Sequence, residues 1–163
     1  MIHRHHRIAK WLLGLSAAAG LLVITSSPAA AIGFGPRGGY SFDPDQLVLG
    51  LQAELFPVMV VFDFVPSIDI GFGDDLTVTT INGDLQYNFP SLPSTNVSIF
   101  VLGGPTIARI NPDNGQSNTE VGLSLGGGLR VPLTGPASYY GEVRFGFGDV
   151  PDLKAMVGIV FGL

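Results

Sequence analysis

Residues 153–163 read LKAMVGIVFGL, and this stretch decides how the rest of the chain is read. In steps of two, Leu153, Ala155, Val157, Ile159, Phe161 and Leu163 share one face, while Lys154, Met156, Gly158, Val160 and Gly162 share the other. A two-residue period belongs to a β-strand, whose successive side chains point to opposite sides. One face is unbroken hydrocarbon, and the other carries small residues and a charge. A soluble barrel turns its apolar face inward and a membrane barrel turns it outward, so one strand alone does not choose.

The same period recurs upstream. Over 46–56, Leu47, Leu49, Leu51, Ala53 and Leu55 alternate with Gln46, Val48, Gly50, Gln52 and Glu54, and Phe56-Pro57 reads as a tight reversal. Over 58–73, Val60, Phe62, Phe64, Ile68, Ile70 and Phe72 oppose Asp63, Ser67, Asp69 and Gly71, with Pro66 marking a bulge or a lost ladder bond. Over 76–89, Ile81, Leu85, Tyr87 and Phe89 oppose Asn82, Asp84, Gln86 and Asn88, but Thr77 and Thr79 fall on the apolar side and weaken the pattern there. Over 97–110 the phase is lost around Gly103, Gly104 and Pro105, which leaves the direction of Arg109 open. It returns over 120–133, where Val121, Leu123, Leu125, Leu129, Val131 and Leu133 oppose Glu120, Gly122, Ser124, Gly126, Gly128 and Arg130. It holds again over 138–148, where Tyr139, Val143, Phe145 and Phe147 oppose Tyr140, Glu142, Arg144 and Gly146. With the Gly-rich segment 33–42, whose phase is not fixed, this makes about eight strands of about ten residues, joined by short turns with no helix. The expected fold is all-β, an eight-stranded antiparallel up-and-down barrel that closes its first strand on its last.

Residues 1–31 differ from the remainder. Arg4, Arg7 and Lys10 precede an apolar run from Trp11 to about Ile24, and Ala29, Ala30 and Ala31 end it, which is the layout of a secretory signal peptide cut after Ala31. The leader takes all three histidines and three of the eight Lys and Arg, but none of the thirteen Asp and Glu. The remaining domain, 32–163, therefore has five basic side chains against thirteen acidic ones, a net charge of −8. That acidity argues against nucleic acid as a partner. The absence of Cys excludes a disulfide framework and an acylated cysteine anchor.

Residue type on the non-hydrocarbon face selects the bilayer. A soluble barrel would leave Gly50, Gly71, Gly122, Gly126, Gly128, Gly146, Gly158 and Gly162 facing water, a poor surface for a chain that is 13% charged. Turned inside out, the glycines relieve crowding in a narrow lumen while Leu, Val and Phe meet lipid. The inward charges are then Glu54, Asp69, Asp84, Glu120, Arg130, Glu142, Arg144 and Lys154. An unpaired buried charge costs several kcal/mol, so a paired network is expected. Glu120, Glu142, Arg130 and Arg144, on adjacent strands, are the nearest candidates to form it. Two roles stand for these side chains, structural filling or a lining that conducts ions.

The turns fall into two sets. Those after the first, third, fifth and seventh strands carry Asp43 and Asp45, Asp74 and Asp75, Asp113, and Asp149 and Asp152, whereas the others carry no charge. With the amino terminus in the periplasm, the acidic set forms an extracellular rim. Asp43, Asp45, Asp74, Asp75, Asp149 and Asp152 are the candidate ligands for divalent cations shared with lipopolysaccharide phosphates, since hard cations favour carboxylate oxygen. Asp is also an ordinary turn former. The segment NPDNGQSN at 111–118 lacks the acidic spacing of a calcium loop and reads as a hairpin. The glycine clusters at 103–104 and 126–128 precede no helix and are not phosphate cradles.

VGLSLGGGLRVPL at 121–133 looks like a Gly-rich penultimate hairpin, and YYGEVRFGFG at 139–148 like an aromatic, Arg-bearing seventh strand. On these segments the chain resembles the small outer-membrane β-barrel family of the opacity-protein, OmpX and OmpA membrane-domain type. The resemblance implies an integral protein of the bacterial outer membrane, in contact with outer-membrane lipid and lipopolysaccharide. It further implies that Gly158, Phe161 and Leu163 form the terminal signal read by the barrel-assembly machinery. Three functions compete: a structural or surface-exposed barrel, a narrow pore for ions or small solutes, and a lipid-modifying enzyme. The Ser–His or Cys–His chemistry common in the third has no base or thiol in 32–163, so a non-enzymatic protein without a cofactor is expected.

Overall fold

The computed structural model describes residues 32–59, 61–93 and 95–162. Residues 1–31, where a leader is expected, and Val60, Ser94 and Leu163 lie outside the described residues. Eight strands follow one another: β1 Ile32–Phe42, β2 Asp45–Met59, β3 Phe62–Phe72, β4 Leu76–Asn88, β5 Ser98–Pro112, β6 Asn118–Pro132, β7 Ala137–Gly148 and β8 Leu153–Gly162. Each pairs antiparallel with its sequence neighbours, and β1 closes on β8 from Gly33↔Gly162 to Ser41↔Lys154. Closure leaves no sheet edge, which is what a spanning sheet requires where lipid offers no hydrogen bonds.

Side-chain direction is inverted relative to a soluble barrel. Leu49 is 54% exposed and Leu125 57% exposed on the outer wall, while Asp69 and Asp84 inside are 1% and 0% exposed. Both strands whose phase the sequence left open keep it without a break. In β1, Phe34, Pro36, Tyr40 and Phe42 face out, and Arg37 and Ser41 face in and are buried. In β5, Ile99, Val101, Pro105, Ile107 and Arg109 face out, with Phe100, Leu102, Thr106 and Ala108 inside. The phase of β5 was obscured because its lumen positions are themselves largely apolar and Gly103 and Gly104 carry no polarity.

Two details of the expected pattern change. The chain does not reverse at Phe56-Pro57: β2 runs on to Met59, and the hairpin closes at Met59↔Phe62. Between Leu55↔Phe64 and Met59↔Phe62 the register shifts, because β2 advances four residues while β3 recedes two. A bulge of this kind suits Pro57, which has no N–H to give a ladder. Pro66 makes no such shift, since Gln52↔Ser67 and Leu55↔Phe64 share one register across it and Pro66 pairs with Gly83 on the other side.

Inward glycines make room for the few large groups inside. A Cβ built on Gly158 would stand 2.6 Å from the Tyr140 ring, and one on Gly128 2.6 Å from Phe100. We expect Gly158→Ala to lower stability by about 1–3 kcal/mol, the usual range for overpacking. Urea unfolding of refolded protein in micelles, followed by far-UV circular dichroism, checks this; Gly162→Ala, whose new Cβ is held only at 3.2 Å from the Pro136 carbonyl oxygen, should change stability less.

Candidate functional site

The polar side chains of the lumen are assembled from every strand. Gly50 stands in register between Arg37 on β1 and Asp69 on β3 and has no side chain to separate them. The guanidinium reaches across it, with Nε donating to Asp69 Oδ1 at 2.6 Å and Nη2 to Asp69 Oδ2 at 2.7 Å. This two-pronged geometry is the strong form of a charge-assisted bond. Arg37 also donates to Ser67 Oγ at 2.8 Å and Gln52 Oε1 at 3.3 Å, and its Nη1 lies 3.5 Å from Glu142.

From Arg37 the charges continue around the axis with alternating sign. Lys154 Nζ stands 3.6 Å from Asp69, Asp69 binds Arg37, Arg37 faces Glu142, Glu142 lies 3.2 Å from Arg144, and Arg144 lies 2.7 Å from Asp84. The chain of contacts thus joins β8, β3, β1, β7 and β4. Neutral groups occupy the remaining lone pairs and protons: Lys154 donates to Thr80 Oγ1 at 2.9 Å, Asn82 to Asp69 at 3.3 Å, and Arg144 to Ser124 Oγ at 3.1 Å. A separate pair, Arg130 on β6 and Glu54 on β2, closes across the lumen near the chain termini, one of its bonds being Arg130 Nη1 to Glu54 Oε2 at 3.0 Å. Four cations therefore meet four carboxylates inside the barrel, so these paired groups carry no net formal charge.

Apolar clusters bound this belt above and below. At the end opposite the termini, Val150 folds from the β7–β8 loop into the lumen against Val78 and Ala108, with Leu76 and Ile110 beside them. It occupies space that Gly122 leaves, since a Cβ there would stand 2.8 Å from Val150. At the other end Phe100, Leu102, Tyr140 and Val160 pack together, and the Arg130 guanidinium sits 5.8 Å over the Phe100 ring. The Tyr140 hydroxyl donates to Gln52 at 2.8 Å, which ties this cluster to the belt.

The structure places the sequence-derived residues as follows. Glu54, Asp69, Asp84, Glu142, Arg144 and Lys154 are buried inside, and Arg130 is half-buried at the end where β1 begins and β8 ends. Glu120 is not brought to the others: it is half-buried near the far end of β6 and accepts from Asn118. Arg130 on β6 reaches Glu54 on β2, three strands beyond either of its neighbours and so on the opposite wall, not Glu142 or Glu120, because side chains of a narrow barrel meet across the axis as readily as along the wall. Arg37, the centre of the network, was missed. The large residues Phe34, Pro36, Tyr40 and Phe42 at even positions were the available sign that position 37 turns inward.

Asp43, Asp45, Asp74, Asp75, Asp149 and Asp152 are all exposed at the end opposite the termini. Backbone bonds from Asp152 N to Asp43 O at 3.1 Å and from Asp113 N to Asp75 O at 3.0 Å link the loops there. Among the described residues no three His, Cys, Asp or Glu side chains gather as a metal-holding group. Of the residues expected to form a terminal signal, Gly158 faces inward beneath Tyr140 and Phe161 faces outward, its ring 6.3 Å from that of Phe34.

An apolar outer wall, a polar and charge-paired interior and full strand closure define a transmembrane β-barrel. No family model and no curated protein sequence matches the chain. Solved structures do match in fold. The N-terminal β-barrel domain of Pseudomonas aeruginosa OprF is 16% identical, with a TM-score of 0.69 over 84% of this chain and 100% of that one. Neisserial surface protein A is 12% identical, with a TM-score of 0.63 over 84% and 99%. A major outer membrane protein from Thermus thermophilus is 15% identical, with a TM-score of 0.59 over 83% and 100%. The fold is that of the small eight-stranded outer-membrane barrels.

Removing one member of a buried ion pair strands the other, at a cost of about 3–5 kcal/mol. Asp69→Asn leaves both Arg37 and Lys154 short of a carboxylate and should show a loss of that size in urea unfolding. Asp149→Asn at the exposed rim should stay within about 0.5 kcal/mol of the parent.

Proposed function

We propose that the protein is an integral barrel of the bacterial outer membrane with a structural, non-enzymatic role, its acidic end turned to the cell exterior. The observation that carries this reading is the filled lumen. An ion path through the barrel would have to pass the Val78, Ala108 and Val150 cluster, then side chains already committed to one another, then the Phe100 and Tyr140 cluster. The filling is of the kind that makes an eight-stranded barrel a packed body and not a channel.

Several further features support the same reading. The lumen hydroxyls of Ser67 and Ser124 are engaged with Arg37 and with Asp84 and Arg144, and no His or Cys follows residue 31 to activate a nucleophile. The acidic loops carry one or two carboxylates each, and among the described residues no three gather, an arrangement suited to divalent cations shared with lipopolysaccharide phosphates and not to a cage formed by the protein alone. Export through the leader at 1–31 and insertion by the barrel-assembly machinery complete the proposed route to the membrane.

Planar-bilayer recording with the refolded protein tests the role. We expect no reproducible unitary conductance, and discrete, repeatable current steps would replace the structural reading with that of a narrow pore. Calcium is expected to raise the melting temperature when the barrel is embedded with lipopolysaccharide and to leave it unchanged in zwitterionic detergent.

A further inference from the structure

The lipid-facing wall is not uniform at the acidic end. Tyr40 and Phe42 on β1, Phe72 on β3, and Phe145 and Phe147 on β7 are exposed there and form the aromatic belt usual at a membrane interface. On β4, β5 and β6 the belt is interrupted. Its place is taken by Thr77 and Thr79, by Arg109 and Asn111, and by Thr119. The register puts them side by side, Thr77↔Asn111 in one row and Thr79↔Arg109↔Thr119 in the next. Arg109 and Thr119 are exposed, Val78, Thr80 and Ala108 turn inward, and Thr77 and Thr79 therefore share the outer face with Arg109.

Arg109 differs from the other cations. Arg37, Arg130, Arg144 and Lys154 each contact a carboxylate inside the barrel. Among the described residues Arg109 contacts none, and its Nε donates only to Asn111 Oδ1 at 3.3 Å. The nearest acids in sequence are Glu120, half-buried on the inner face, and Asp113 in the loop above. Arg109 lies three residues inside the end of β5, about 8 Å below it at the usual strand tilt. From there a long side chain reaches the headgroup level. A guanidinium on a lipid-facing wall is costly unless an anion meets it at the interface, and its planar fork matches the oxygens of a phosphate.

We propose that Thr79, Arg109, Asn111 and Thr119 form an interfacial site for a phosphate-bearing lipid headgroup, and that its occupant is a phosphorylated saccharolipid of the lipid A class. Arg109 supplies the fork, the two threonine hydroxyls supply neutral donors, and Asn111 holds the guanidinium in the plane of the wall. The identity of the occupant rests on the outward orientation proposed above, because phosphorylated saccharolipid lies in the outer leaflet.

Full-length mature protein in phosphatidylcholine nanodiscs doped with lipid A, kept in EDTA, tests the site by native mass spectrometry of co-retained lipid. We expect lipid A to be retained by the parent and about tenfold less by Arg109→Gln, in keeping with a charge-assisted bond to phosphate. Arg109→Lys should fall between them, and Thr79→Ala with Thr119→Ala should lose about threefold, the scale of a neutral hydrogen bond. Equal retention by Arg109→Gln, equal retention of dephosphorylated lipid A, or displacement of the lipid by inorganic phosphate alone would each overturn the proposal. If Arg109→Gln does not refold, the Arg109 Nε resonance of the parent decides, since it should move when lipid A is added to the disc and its failure to move contradicts the site. These discs offer lipid A to both leaflets, so failure here is separate from failure of the orientation. The latter is read by labelling Asn114→Cys on intact cells with an impermeant maleimide, in a chain otherwise free of Cys.

Discussion

The structure depends on keeping ionised groups inside a membrane-spanning shell. Arg37, Asp69, Glu142, Arg144, Asp84 and Lys154 achieve this by alternating in sign, so that each charge faces an opposite one within 3.6 Å. Isolated, any of them would carry a desolvation penalty of several kcal/mol, and the attraction offsets that penalty only when the remaining protons and lone pairs are also met. Ser67, Thr80, Asn82 and Ser124 meet them. The contacts span β1, β3, β4, β7 and β8, so the network also fixes which strands face one another across the axis.

Glycine is the structural complement of this network. Gly50 lets Arg37 reach Asp69, Gly158 and Gly128 admit Tyr140 and Phe100, and Gly122 admits Val150. The polar belt and the apolar clusters that cover it are thus placed by absent side chains as much as by present ones. A sequence with 23 glycines and few charges is a natural result of filling a narrow cylinder from all sides.

Much of this was legible in the linear pattern because a strand's period of two separates lipid-facing from lumen-facing positions wherever the two faces differ in polarity. Residues 46–56 and 120–133 show the contrast clearly, and their directions follow. Legibility failed where the contrast vanished. In β5 the lumen face is Phe100, Leu102 and Ala108, and in β1 the glycines hide the inward phase of Arg37. Pairing across the axis was not legible either, because Arg130 and Glu54 are 76 positions apart and nothing local links them. Thr77, Thr79 and Arg109 looked like noise in their own strands, and only the register shows that they adjoin.

The central claim is the inversion, with hydrocarbon outside and a packed, charge-paired filling within. Single-cysteine spin labels placed in turn along β6 from Val121 to Val131, in a bilayer, measure it most directly through collision with oxygen and with a water-soluble nickel chelate. Oxygen accessibility should oscillate with a period of two and peak at Val121, Leu123, Leu125, Leu129 and Val131, while the chelate should reach neither face in the middle of the strand. Oxygen peaks at Ser124 and Gly126 instead, or free access of the chelate to those positions, would contradict the account.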